Sequence, residues 1–264
     1  MHIDLSGKTA IVTGSSQGIG FATALGLARA GARTVVTGRD TGRLEKAVRR
    51  ITDDVPGADV VAVAADLSTS EGAEALLAEV PATDILVNNL GIFEPKAFLE
   101  IDDAEWRRYF DVNVLGGIRL SRLYLPGLLE RRWGRIVFVS SESALQIPPE
   151  MMHYGMTKTA QLAVARGLAE VCAGTAVTVN SVLPGPTNSE GVADFVAELG
   201  GETGRSVDEQ VDDFVREHRP TSLLRRAATT EEVANLIIYL SSPQASATTG
   251  AALSVDGGTR RSVV

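Results

Sequence analysis

The chain has 264 residues, a formal net charge of -8 and a pI near 5.0, which argues against the basic surface that nucleic acid requires. Hydrophobic residues make up 44%, enough for a large core and too many for disorder. A single cysteine, Cys172, excludes an intrachain disulfide and a cysteine-based metal site, and in its apolar helical stretch it reads as a small buried hydrophobe. Along the chain, short β-rich apolar runs alternate with longer helical patterns. Residues 9–13 read as a buried strand, followed at once by glycines and a helix over about 19–30 that Gly31 closes. Residues 34–37 form the next strand, and Asp40 or Thr41 caps a helix to about Ile51. A third strand covers 60–64. Ser68 and Glu71 have the spacing of a capping box, opening a helix to about Val80. Strand four is 85–88, residues 103–130 form one long helical pattern, and strand five is 135–140. A helix over 154–172 leads to strand six at 177–183, stopped by Pro184, Gly185 and Pro186. Thr229 and Glu232 make a second capping box, for a helix to about Leu240, and 252–255 is a last short strand.

This alternation implies an α/β fold, a Rossmann-like doubly wound parallel sheet of about seven strands with helices on both faces. Residues 1–264 read as one domain. Segment 188–224 carries many carboxylates and shows no strand pattern, and it emerges where strand carboxyl ends place ligands, so it reads as a substrate lid. The first residues lack a signal-peptide pattern and no apolar run approaches the roughly 20 residues of a membrane span, so the expectation is a soluble cytoplasmic protein without membrane or nucleic-acid partners. His2, His153 and His218 are scattered, and no metal site is expected; His153 reads as a pocket-rim or surface residue.

Gly14, Gly18 and Gly20 follow the first strand and open the first helix. Glycines there permit a tight turn and close backbone approach to a pyrophosphate, with the helix N-terminus facing the anion. Ser16 and Ile19 belong to the same loop. At the end of the second strand, where a ribose-binding carboxylate would stand, the chain has Gly38 followed by Arg39. A guanidinium suits a 2′-phosphate, so NADP(H) is favoured. The alternative reading makes Arg39 a solvated residue and Asp40 the ribose ligand, which favours NAD(H).

With Asp66, the run Asn88-Asn89-Leu90-Gly91, Asn113, Ser141, the four-residue spacing of Tyr154 and Lys158, and Pro184-Gly185, the chain resembles a short-chain dehydrogenase/reductase over its whole length. Ser141 lies the family's usual thirteen residues before Tyr154, which selects it over Ser140 and Ser143. Leu90 departs from the usual Ala and alters packing beside the expected adenosine position. The resemblance implies that Asp66 and Leu67 flank the adenine, that Asn89 and Gly91 shape the cofactor site and that Ile92 packs near the nicotinamide. It also implies that Pro184, Gly185 and either Thr187 or Ser189 meet the carboxamide. Asp66 could equally end a strand or begin a cap, and Thr187 and Ser189 could be ordinary loop hydroxyls.

The chemistry implied is hydride transfer between a nicotinamide and a small-molecule carbonyl or secondary alcohol, as in a carbonyl reductase. Tyr154 serves as general acid or base. An ammonium about 4 Å away at an effective dielectric of about 20 is worth about 4 kcal/mol, or about three pKa units, enough to bring a phenol toward neutrality. Lys158 is that ammonium and, by resemblance, also holds the nicotinamide ribose. Ser141 polarises the substrate carbonyl, and Asn113 supports a water-linked proton relay to Lys158. Expected pocket residues are Ser143, Leu145, Ile147, Met151, Met152, Pro186, Val192 and Phe195, mostly apolar, which suggests a moderately hydrophobic substrate. The resemblance also implies pairing of the long helices between subunits, giving a homotetramer. A non-catalytic dinucleotide-binding regulator on the same fold is the remaining alternative, disfavoured because a binding module needs no proton donor.

Overall fold

A computed structural model describes residues 2–192 and 206–262. Seven parallel strands form the main sheet: β1 (Thr9–Val12), β2 (Arg33–Gly38), β3 (Val60–Ala64), β4 (Ile85–Asn88), β5 (Trp133–Val139), β6 (Ala176–Pro184) and, near the end of the chain, β9 (Ala252–Val255). Their order is β3-β2-β1-β4-β5-β6-β9. The helices are α1 (Gly18–Arg29), α2 (Thr41–Asp54), α3 (Ser70–Glu79), α4 (Asp103–Phe110), α5 (Gly116–Glu130), α6 (Met152–Val171), α7 (Val207–His218) and α8 (Thr230–Ser241). Two-residue strands β7 (Thr187–Asn188) and β8 (Ala228–Thr229) pair separately, at the edge of the segment read as strandless. Among the described residues no helix is long and apolar enough to cross a membrane.

Strand side chains alternate between two apolar layers, as the two-residue period requires. Ala10, Val12, Val36, Val87 and Val137 pack with Leu27, Leu44 and Ile237 on the α1, α2 and α8 side. Ile11, Val35, Leu86 and Ile136 pack with Leu76, Leu120 and Ala165 on the α3, α5 and α6 side. Cys172 belongs to the second layer and is buried. Both faces are covered, which is why these strands read as continuous apolar runs. From β1 the chain winds outward to β3, then returns to β4 on the other side of β1. The reversal opens a crevice at the carboxyl ends of β1 and β4, where an open parallel sheet binds its ligands.

Three local expectations are corrected. The cap of α3 is Thr69, which accepts from the Gly72 amide, and no Ser68 capping box forms because the Ser68 hydroxyl donates to Asp66 instead. Asp40, not Thr41, caps α2. The single helix expected over 103–130 is divided by a π-helical turn, Asp111–Leu115, which inserts Asn113 toward α6.

Candidate active site

The glycine loop is held open by its backbone and braced from the side. Gly14 and Gly18 both have φ of +60°, a region that favours glycine. A methyl group on Gly20 would fall 2.4 Å from the Gly14 carbonyl oxygen and 2.6 Å from Asn89 Nδ2. Asn89 Nδ2 donates to the carbonyls of Thr13 and Gly14 at 2.9 and 3.0 Å, so its amide fixes the loop as well as lining the cavity. Gln17 precedes α1 without capping it, leaving the first amides free of a local side-chain acceptor. The Gly18 amide instead donates to Glu190 Oε2 at 2.9 Å. A carboxylate oxygen on this amide shows that it can accept an anionic oxygen, as a pyrophosphate at a helix N-terminus would supply.

At the adjoining end of β2, Arg39 is exposed, and its charge reaches Asp66. Hydrogen bonds from Ser68 first, with a smaller attraction from Arg39, hold the Asp66 carboxyl below its ordinary range. Asp66 therefore does form the local turn foreseen as its plain role, through Ser68 N and Oγ. Leu67 beside it is 3% exposed and packs in the core. Arg43 was missed. Its Nη1 lies 3.4 Å from Gln17 Oε1, bringing a second guanidinium to the glycine loop. Helical spacing after Asp40 could have flagged it, since residue i+3 returns to the capped face. Ser16 Oγ lies 3.6 Å from where a Gly38 methyl would stand, so Ser16 sits between the loop and this corner.

Ser141, Tyr154 and Lys158 line one cavity with Ile19, Gly20 and Gly91. Ser140 Oγ donates to the Lys158 carbonyl, whereas Ser141 Oγ, in the cavity wall, donates to Glu142 Oε2 at 2.6 Å. Lys158 is 4% exposed, and burial lowers its ammonium to about 8. Its Nζ donates to the Val139 carbonyl at 2.9 Å and lies 5.5 Å from the centroid of the Tyr154 ring. The expected lowering of the Tyr154 phenol by this lysine is absent in this state. Burial raises the phenol well above its ordinary value, a hydrogen bond with Ser141 lowers it, and the charge of Glu142 raises it again. Phe93 meets the Tyr154 ring edge-on at 6.3 Å.

Asn113 does not line the cavity. Its Oδ1 accepts from the Ile92 amide, while Nδ2 donates to the Ile92 carbonyl and Thr157 Oγ1. Its own carbonyl accepts from Gln161 Nε2, so these bonds tie Asn113 between the Ile92 loop and α6. His153 is likewise corrected: it is fully buried against Tyr109 at 4.0 Å, on the side of α6 away from the pocket. Among the described residues no group of three or more His, Cys, Asp or Glu converges.

Pro184, Gly185, Thr187 and Ser189 line the cavity as expected, with the Thr187 hydroxyl already donating to the Gly185 carbonyl. Ser143, Met151, Pro186 and Val192 also line it. Leu145 and Ile147 are about half exposed and Met152 is exposed, and none of the three reaches it. Phe195 lies outside the described residues. Phe93, Phe214, Glu142 and Arg219 were missed. Glu142 and Arg219 are 77 positions apart, and neither carries a local pattern that pairs them.

A family model described as enoyl-(acyl carrier protein) reductase matches residues 14–260. The uncharacterized oxidoreductase YvaG of Bacillus subtilis is 45% identical, with all of both chains covered. The 3-oxoacyl-(acyl-carrier-protein) reductase FabG of Aquifex aeolicus is 34% identical over 98% of this chain and 99% of that one. L-sorbose reductase from Gluconobacter frateurii, solved with NADPH and L-sorbose, superposes with a TM-score of 0.92 at 32% identity, covering both chains fully. Matches of that extent leave one conclusion: this oxidoreductase belongs to the short-chain dehydrogenase/reductase family.

Proposed function

We propose that the protein transfers hydride between NADP(H) and a carbonyl or secondary alcohol, with Tyr154 as the proton donor and acceptor. The observation that carries this reading is the convergence of Ser141, Tyr154 and Lys158 on a cavity whose other wall is the glycine loop. NADPH, when bound, supplies the hydride to the carbonyl carbon, and NADP accepts it in reverse. Gly14, Ser16, Gly18, Ile19 and Gly20 would hold the pyrophosphate, Asp66 and the Leu67 backbone the adenine, and Asn89 and Gly91 the space beside them. Glu190 must leave the Gly18 amide for the pyrophosphate to take its place.

In the reduction direction Tyr154 gives its phenolic proton to the carbonyl oxygen as the alkoxide develops. Ser141 bonds the same oxygen after turning its hydroxyl from Glu142, which keeps the Ser143 amide and hydroxyl as donors. Lys158 has three N–H donors, and one goes to Val139. The remaining two would hold the nicotinamide ribose and stabilise the Tyr154 phenolate. Pro184, Gly185, Thr187 and Ser189 would hold the carboxamide. Asn113 keeps Ile92 and α6 in register.

Arg39 and Arg43 together support NADP(H) over NAD(H), because two guanidiniums can neutralise a 2′-phosphate while Asp40 is engaged as a helix cap. Phe214 and Arg219 reach the cavity from the 188–224 segment, which supports its reading as a lid on a single catalytic domain. A homotetramer is supported by a largely apolar groove on α5 and α6, lined by Ile118, Leu125, Leu129, Val164 and Leu168 with Arg122 at its side. Titration of the wild type and Arg39→Ala with NADPH and NADH tests the cofactor assignment. Tighter binding of NADPH, lost in the variant, is expected. Preference for NADH indifferent to Arg39 would overturn the assignment and favour oxidation of a secondary alcohol with NAD.

A further inference from the structure

The cavity contains a charged pair that hydride transfer does not use. Glu142, the neighbour of Ser141, has a side chain 6% exposed, and Arg219, just beyond α7, has one 13% exposed. Arg219 Nε donates to Glu142 Oε1 at 3.0 Å, and its Nη1 lies 3.6 Å from Glu150. Glu142 Oε2 accepts from Ser141 Oγ at 2.6 Å, from the Ser143 amide at 2.9 Å and from Ser143 Oγ at 3.2 Å. Phe93, Met151, Val192 and Phe214 add apolar surface to the same cavity.

A buried ion pair is costly against an apolar replacement of the same volume, so its presence in an otherwise greasy pocket calls for a ligand that uses it. An aliphatic ketone entering here would displace water from the pair and return no hydrogen bond. A hydroxylated one would replace that water. The spacing points to one hydroxyl. Ser141 Oγ and Glu142 Oε2 are 2.6 Å apart, close to the separation of two oxygens on adjacent carbons. A carbonyl bonded to Ser141 therefore leaves the hydroxyl on its neighbouring carbon within reach of Glu142. The local charge selects further. One guanidinium stands between two carboxylates, Glu142 and Glu150, leaving the cluster net negative. That favours neutral hydroxyl donors and disfavours a substrate carboxylate.

We propose that Glu142 and Arg219 form the specificity site of the enzyme, Glu142 accepting the hydroxyl adjacent to the reacting carbonyl of a neutral polyhydroxylated substrate of the ketose and polyol class. Arg219 holds Glu142 in place and ties the end of α7 to the loop carrying Ser141. This rests on the carbonyl-reductase reading above and narrows it, against the moderately hydrophobic substrate expected from the apolar residues alone. Without its guanidinium partner the Glu142 charge would also press harder on the Tyr154 phenol, which it already raises.

The test is NADPH-dependent reduction of hydroxyacetone, dihydroxyacetone and a hexulose against 2-butanone and acetoacetate, by wild type, Glu142→Gln and Arg219→Gln. Sites built to bond a hydroxyl reject analogues lacking it strongly, so kcat/KM for the hydroxyketones should exceed that for 2-butanone by about 100-fold or more. Glu142→Gln should cut that ratio at least tenfold, mainly through KM of the hydroxyketones, with NADPH binding retained as the check on folding. Calorimetry of dihydroxyacetone against 2-butanone on Tyr154→Phe saturated with NADPH reads the same preference without turnover. Equal or better reduction of 2-butanone, or a preference for acetoacetate, would overturn the specificity site while leaving hydride transfer intact. No reduction of any carbonyl, with NADPH bound, would overturn both.

Discussion

Replacing Lys158 by methionine should remove a pH dependence of stability that the wild type carries. The side chain is 4% exposed, and burial lowers its pKa from 10.5 to about 8. Between those values the unfolded chain binds a proton that the folded chain has released, so wild-type stability rises with pH through that window. The full gap is worth about 3 kcal/mol at about 1.4 kcal/mol per unit, and below about pH 8 it stands as a destabilisation by the charged lysine. Methionine has a similar length and no charge, so the penalty disappears. The Val139 carbonyl loses its donor, which costs about 1–3 kcal/mol, so the net change at pH 7 is about 0–2 kcal/mol in favour of the variant. The difference between the two proteins is the cleaner signal. From pH 7.5 to 9.5 the wild type should gain about 2 kcal/mol on the variant. Burial also raises the thiol of Cys172 and the phenols of Tyr109 and Tyr124, which lowers stability at higher pH, but equally in both proteins. Urea unfolding at several pH values provides the measurement, on cofactor-free protein. A stability difference that stays constant across the window would refute the buried-ammonium argument.

Gly20→Ala should lose about 1–3 kcal/mol of stability through overpacking, because the methyl meets the Gly14 carbonyl at 2.4 Å and neither backbone can yield; cofactor titration should show weakened binding in the same protein. Glu190→Gln removes the charge that occupies the Gly18 amide, and NADPH should bind about two- to fivefold tighter, the reach of an exposed charge at a helix N-terminus; weaker binding would show that Glu190 assists the cofactor instead. Leu168→Arg adds a second charge to the α5–α6 groove beside Arg122 and should break the proposed homotetramer into smaller species in light scattering, whereas an unchanged mass would remove this groove from the assembly.

Much of the fold was legible because its signals are local. Strand runs buried on both faces read as apolar stretches, and β3, β4 and β9 fall on the residues expected. Capping was legible at Thr229, whose reciprocal bonds with Glu232 form, and misread at Ser68, because Asp66 competes for that hydroxyl. The π-helical turn at Asn113 was invisible, since apolar periodicity continues through it and only the long-range bonds to Ile92 and Thr157 reveal its purpose. In the site, Ser141, Tyr154 and Lys158 were found by spacing and resemblance. The state of Lys158 was not, because its bond to Val139 depends on how β5 faces α6. Glu142, Arg219 and Arg43 act through partners brought together by folding, and a single sequence gives no sign of which charges will meet.

Tyr154 carries the proton transfer proposed for this site. Consumption of NADPH with a panel of ketones, followed alongside NADPH binding, should be compared for wild type and Tyr154→Phe. Phenylalanine keeps the ring against Phe93 and removes only the hydroxyl. Binding should survive unchanged and turnover should fall by about 100-fold or more, the size of a lost general acid. Turnover that persists at the wild-type rate in the variant would contradict the mechanism assigned to this site.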